Sequence, residues 1–210
     1  AVLGVEIDSV TITEAVDLLE KFIAERKPRL VATANAEMVM LAQEDAELSQ
    51  ILNSAALVVP DGAGVVWAAK YNGIPVRERV AGYDLVQALL ARAAVKGYSI
   101  YFLGAAPGIA DKAAQLSVRQ YPGLRIAGVR NGYFSAEEVP GIIGDIKAKQ
   151  ADILLVALGV PKQEKWLKAN LAQIGVPVAI GVGGSFDVMA GVVSRAPLWM
   201  QKTGLEWLYR

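Results

Sequence analysis

Cysteine and histidine are both missing from this 210-residue chain. Their absence removes a zinc site of the usual ligand set, a Ser-His-Asp triad, a thiolate nucleophile and an imidazole general base. Proton transfer is left to carboxylate, lysine or tyrosine. An excess of one charge is missing too: 21 basic residues offset 21 acidic ones, and the pI is near 6.6. That balance argues against a dedicated nucleic-acid binder, which presents a basic surface to phosphates. No apolar run approaches the ~18 residues that cross a bilayer, and no signal-peptide pattern opens the chain. Solenoid repeats, low-complexity tracts and Pro/Ser-rich linkers are absent, so residues 1–210 read as one domain.

What is present is apolar. The 54% apolar content exceeds the ~45–50% of typical soluble domains, so a large core is available and the excess points to an interface. The opening VLGVEIDSV reads as extended. Thr11 and Glu14 then have the spacing of a capping box ahead of a helix to about Lys27. LVAT is a short strand, and Asn35 opens a helical pattern through Leu52. ALVVPDG, SIYFLG, LRIAGVRNGYF, DILLVALG and PVAIGVGG follow as strand-and-turn segments, separated by helical stretches such as Tyr83–Lys96. Continuous Val/Ile/Leu strands alternating with helices predict an α/β fold: a mostly parallel, Rossmann-like sheet with helices on both faces. In such a sheet ligands sit at the carboxyl ends of the strands.

Polar residues gather at those ends. They are Thr33 and Asn35 after LVA, Asp61 and Gly62 after LVVP, Gly104 to Gly108 after IYFL, Lys162 and Gln163 after LLVALGVP, and Phe186 and Asp187 after AIGVGG. Asp61 stands in a Pro-Asp-Gly turn, which alone could explain it. It also separates an apolar strand from an apolar helix, and with no histidine in the chain it is the best general-base candidate. Thr33 and Asn35 are too weakly basic to replace it and would position substrate. LGAAPG is open between a tight connection and a turn whose amides face a diphosphate, with Gly104, Pro107 and Gly108 at its bends. It is not G-x-G-x-x-G, and no acidic ribose-binding residue follows about twenty positions later, which weakens a dinucleotide site. Of Arg77 and Arg79, either both solvate a loop or one clamps a phosphate. In PKQE, Pro161 suits a first helical turn and Glu164 would offset the helix dipole. No D-x-D motif or adjacent all-oxygen ligand set supplies a magnesium site, so no metal cofactor is expected, and charge on a leaving diphosphate would fall to amides and Arg or Lys.

TANAEM, PDGAGV, RVAGYDL, FLGAAPG, NGYF, GVPKQEKW, GVGGSFD, RAP and GLEWLYR occur in this order from Thr33 to Arg210. In these motifs the chain resembles the WecG/TagA/CpsF family of bacterial glycosyltransferases, glycosyltransferase family 26. The resemblance implies an inverting transferase that takes a UDP-sugar donor and an undecaprenyl-diphosphate-linked GlcNAc acceptor. It would work at the cytoplasmic face of the cell membrane. The TagA branch implies N-acetylmannosamine as the sugar and a β-1,4 linkage in wall teichoic acid synthesis, whereas the WecG branch uses N-acetylmannosaminuronic acid. Carried onto this sequence, the family's candidate base is Asp61, with Thr33, Asn35, Arg79 and Gln163 completing the pocket. The resemblance gives the nucleotide to the segments holding Tyr133, Phe134, Gly184, Phe186 and Asp187. Related chains carry a basic, apolar tail beyond LEWLYR that is expected to dock on membrane, and this sequence stops at Arg210. Leu198, Trp199, Leu205, Trp207, Leu208 and Tyr209 are expected to form either a core helix or an apolar face for membrane, tail or a homo-oligomer partner. A non-catalytic nucleotide-binding module and a Rossmann-like oxidoreductase are the competing readings. The missing dinucleotide fingerprint counts against the second, and Asp61 with Gln163 against the first.

Overall fold

The computed structural model describes residues 1–197, 199 and 200. Among the described residues six strands build one sheet: β1 (Arg29–Ala34), β2 (Leu57–Pro60), β3 (Ser99–Gly104), β4 (Arg125–Arg130), β5 (Ile153–Ala157) and β6 (Val178–Gly181). Their order is β2-β1-β6-β5-β3-β4, and every neighbouring pair is parallel. The central strands are buried on both faces, which is why they read as unbroken apolar runs rather than alternating ones.

Nine α-helices among the described residues cover the two faces. α2 (Ala36–Glu44), α3 (Ala46–Ser54), α4 (Ala63–Tyr71), α7 (Val139–Lys149) and α8 (Lys162–Ile174) share one core with Leu30, Ala32, Leu103, Leu154 and Val156. α1 (Ile12–Glu25), α5 (Gly82–Lys96), α6 (Ile109–Gln120) and α9 (Ser185–Met189) share the other with Val31, Phe102, Ile153 and Leu155. Alternate residues of β1, β3 and β5 thus feed opposite cores, as the two-residue period of a strand requires.

Two expectations change. The pattern opened by Asn35 is two helices, because Asp45 breaks it: its N–H donates to the Leu41 carbonyl at 2.9 Å, while its carboxylate accepts from Leu48 N–H at 3.0 Å. An aspartate that caps a new helix competes with continuing the old one. The opening segment is not a strand of the sheet. Val2 and Val5 close an isolated bridge on themselves, and Asp8 touches the β2 edge through a single exchange with Val58. The Thr11/Glu14 capping box is present at the start of α1.

The path of the chain at β1 and β6 creates the site. These strands are neighbours, yet β1 is followed by α2 on one face and β6 by α9 on the other. A crevice opens at their carboxyl ends where the chain departs in opposite directions, the place where parallel α/β sheets bind ligands.

Candidate active site

A cavity of about 560 Å³ occupies this crevice. Thr33 and Asn35 reach it from the end of β1, Asp61 and Gly62 from the end of β2, Gln163 from the start of α8, and Val182 to Ser185 from the turn after β6. Arg79 arrives on the segment before α5, and Arg195 from the chain after α9. All five residues assigned to catalysis in the sequence, Asp61, Thr33, Asn35, Arg79 and Gln163, therefore line one cavity.

Each is held by its element. Thr33 is 7% exposed, and its hydroxyl donates to the Gly181 carbonyl at 3.3 Å, tying β1 to β6. Asn35 is the N-cap of α2: its Oδ1 accepts from Met38 N–H at 2.8 Å, so its NH₂ is what remains to meet a ligand. Asp61 is half-buried, and its backbone N–H donates to the Ala34 carbonyl at 2.9 Å, joining the β2 turn to the end of β1. The α2, α4, α5 and α9 N-termini all contribute to the lining, through Ala36, Ala63, Gly82 and Ser185. The dipoles of the longer helices α2, α4 and α5 favour an anion at this end of the sheet, beside the half-buried Asp61 carboxylate.

Arg77 and Arg79 separate cleanly. Arg77 is exposed and pairs with Glu14 and the Ser9 carbonyl, whereas Arg79 is half-buried in the cavity wall. Arg195, of the RAP motif, also lines the cavity, and nothing in the sequence beyond that motif marks it out. Its guanidinium binds Asp84 through both nitrogens, at 2.6 and 3.4 Å, and lies 4.7 Å from the centre of the Tyr83 ring. Burial pushes the Tyr83 hydroxyl above its ordinary range, aided by Asp84 and opposed by Arg195. No periodicity signals this cluster, because Arg195 sits in irregular chain 111 residues from Asp84.

Gln163 and Glu164 are each 1% exposed. The Gln163 Oε1 accepts from Gly183 N–H at 3.1 Å, and its Nε2 donates to Glu164 Oε1 at 2.8 Å. Gly181 makes room for both: a Cβ there would stand 2.7 Å from Gln163 Nε2 and 2.8 Å from Glu164 Oε1. Glu164 thus turns inward rather than simply offsetting the α8 dipole from the surface, and burial raises its carboxyl above the usual range.

The other residues assigned to substrate divide. Gly62 and Gly184 line the cavity. Lys162 is exposed at the start of α8 outside the lining, and Asp187 lies within α9 outside it. Phe186 is fully buried and stacks on Phe102, with ring centres 5.1 Å apart. Gly104, Pro107, Gly108, Tyr133 and Phe134 lie on the β3 and β4 side of the rim, beyond this cavity. At Gly104 the backbone has φ +129°, and a Cβ would fall 2.3 Å from the Ala157 carbonyl oxygen, so packing against β5 alone demands glycine there. Tyr133 is 73% exposed, while Phe134 packs edge-on against Trp166. Trp199 is 61% exposed, and Leu198, Leu205, Trp207, Leu208 and Tyr209 lie outside the described residues.

A parallel α/β sheet whose carboxyl end gathers a half-buried carboxylate, arginines and several helix N-termini has the groups that an enzyme acting on a phosphate-bearing substrate would need. The chain belongs to the WecG/TagA/CpsF family of glycosyl transferases, which matches it over residues 1–210. Among curated proteins it is similar to the N-acetylglucosaminyldiphosphoundecaprenol N-acetyl-beta-D-mannosaminyltransferase of Bacillus spizizenii W23. The two are 36% identical over 189 residues, 90% of this chain and 73% of that protein. Proteins of the same name from Bacillus subtilis 168 and Staphylococcus aureus NCTC 8325 are 34% and 32% identical. Those matches cover 95% and 100% of this chain and 77% and 82% of the relatives.

Proposed function

We propose that this protein transfers N-acetylmannosamine from UDP-N-acetylmannosamine to GlcNAc-diphosphoundecaprenol, with inversion and formation of the β-1,4 linkage unit of wall teichoic acid. The observation that carries the reading is the meeting of Asp61 and Arg79 in one cavity, in a chain 32–36% identical to transferases of that name. The acceptor 4-hydroxyl attacks the anomeric carbon on the face opposite UDP. As the new C–O bond forms, Asp61 takes the hydroxyl proton. The old C–O bond breaks with its electron pair passing to the diphosphate. Arg79 and the N-terminal amides of α2 and α4 meet that growing charge, and Thr33, Asn35 and Gln163 orient the sugars. The reaction needs no metal in this scheme, because fixed cationic and dipolar groups take the place of a divalent ion. The lipid acceptor places the protein on the inner surface of the cell membrane as a peripheral enzyme. No helix among the described residues is long and apolar enough to cross that membrane.

The test is direct. The protein is incubated in EDTA with UDP-N-acetylmannosamine and a short-chain GlcNAc-diphosphoprenol, and the lipid product is weighed by mass spectrometry and its anomeric configuration read by NMR. A β-linked disaccharide is expected. No transfer, transfer only after magnesium is restored, or an α-linked product would overturn the corresponding part of the proposal.

A further inference from the structure

Glu164 is the one buried acidic residue among the described residues, and the catalytic scheme above does not use it. Its Oε1 accepts from Gln163 Nε2 at 2.8 Å, and its Oε2 is buried with no hydrogen-bond partner. On the other side Gln163 Oε1 accepts from Gly183 N–H at 3.1 Å. The Gln163 amide is therefore gripped at both ends, by a backbone donor in the cavity wall and by a carboxyl behind it. Each end keeps one more position: an N–H on Nε2 and a lone pair on Oε1. Turning the amide over would set its NH₂ against Gly183 N–H and leave that donor without an acceptor.

We propose that Glu164 is a positioning residue that fixes the Gln163 side-chain amide in the one orientation that serves the substrate, and that it does so as a neutral acid. The inference rests on the transferase reading for its kinetic part alone. Geometry argues for the neutral form, since a buried carboxylate with an unpartnered oxygen lacks the paired cation or full set of donors that a buried charge needs. α8 packs on α3, α7, β1 and β6. The charged groups there are Glu47 on α3, Asp145, Lys147 and Lys149 on α7, Arg29 on β1 and none on β6. Glu47 is taken by Lys165, and Arg29 by Glu25. Burial dominates the ionisation of Glu164, with the Gln163 hydrogen bond and the residue's own N–H opposing it and no charged side chain contributing. A neutral acid also puts no negative charge behind a cavity that takes a diphosphate.

Two measurements test this. The first needs no substrate: side-chain amide resonances are followed by ¹⁵N NMR from about pH 3 to about pH 9 in glutamine-labelled protein, with the Gln163 signal identified by its loss in Gln163→Leu. The Gln163 NH₂ protons should shift with a midpoint above the ordinary carboxyl range, and Glu164→Gln should abolish the shift. A midpoint near the ordinary carboxyl value, or a shift that survives Glu164→Gln, overturns the neutral acid. The second is a double-mutant cycle in turnover. Glu164→Leu should lower kcat about as much as Gln163→Leu, the double variant no further than either, and Glu164→Gln should restore most of the loss. Independent, multiplicative losses would show that Glu164 does not act through Gln163. Wild-type protein without transferase activity would refute the functional reading and leave the NMR result to decide the Glu164 proposal.

Discussion

Asp61 and Arg79 show how much of this site depends on single side chains placed by unrelated segments. One follows β2, and the other stands on irregular chain ahead of α5. Arg79→Ala should lower kcat/KM ~10²–10³-fold, as loss of one fixed donor to a developing anion does. Arg77→Ala, only two positions away, should leave turnover nearly unchanged, since Arg77 meets Glu14 on the surface. Equal losses at the two positions, measured by steady-state kinetics, would contradict the assignment. Only the family resemblance separated the two arginines in the sequence, because a charge cluster in a loop carries no periodicity that tells which side chain turns inward. Glu164 illustrates the opposite failure. Its place in a first helical turn has an adequate electrostatic explanation, and only the packing at Gly181 reveals that it is buried. Its raised carboxyl has a consequence for stability. The unfolded chain loses this proton near pH ~4.3 while the folded chain holds it. Stability is therefore retained below that value and falls as pH rises through the folded value. Urea unfolding at pH 5 and pH 8 should show Glu164→Gln gaining stability relative to wild type at the higher pH. A constant difference would remove the burial argument.

At the scale of elements, the strands and most helices were legible because their cause is local. β1, β3, β5 and β6 are unbroken apolar runs closed by Gly, Thr or Ala, and α1 announces itself by its capping box. The break at Asp45 was not legible, because apolar spacing continues through it and only the cap hydrogen bond separates α2 from α3. Asn35 joins element to site, since its Oδ1 caps α2 while its NH₂ is left for substrate. Asn35→Ala should cost ~1 kcal/mol of stability as well as activity. Asn35→Asp keeps the cap and removes the donor, so it should melt at or near the wild-type temperature and still lose turnover. Calorimetry beside kinetics checks the pair, and parallel losses in both variants would mean that Asn35 serves the helix alone.

For the whole molecule, the decisive feature is the departure of the chain to opposite faces after β1 and β6, which opens a cavity where α2, α4, α5 and α9 begin. The rule that parallel sheets bind at their carboxyl edge led from the sequence to Asp61, Thr33, Asn35 and Gln163. It could not say which strand ends share a cavity, since strand order is a property of long-range pairing. The β3 and β4 turns stood in the sequence on equal terms with the rest, yet lie along the far side of the rim. The same blindness hid Arg195, which meets Asp84 only after the chain has crossed the sheet. In the proposed reaction Asp61 removes the acceptor proton in this cavity, and the decisive measurement is single-turnover transfer by Asp61→Asn, with calorimetric titration of UDP alongside. UDP binding like that of wild type is expected, with a chemical step slowed ~10²–10⁴-fold. A variant that binds UDP, folds normally and transfers sugar at near the wild-type rate would contradict it.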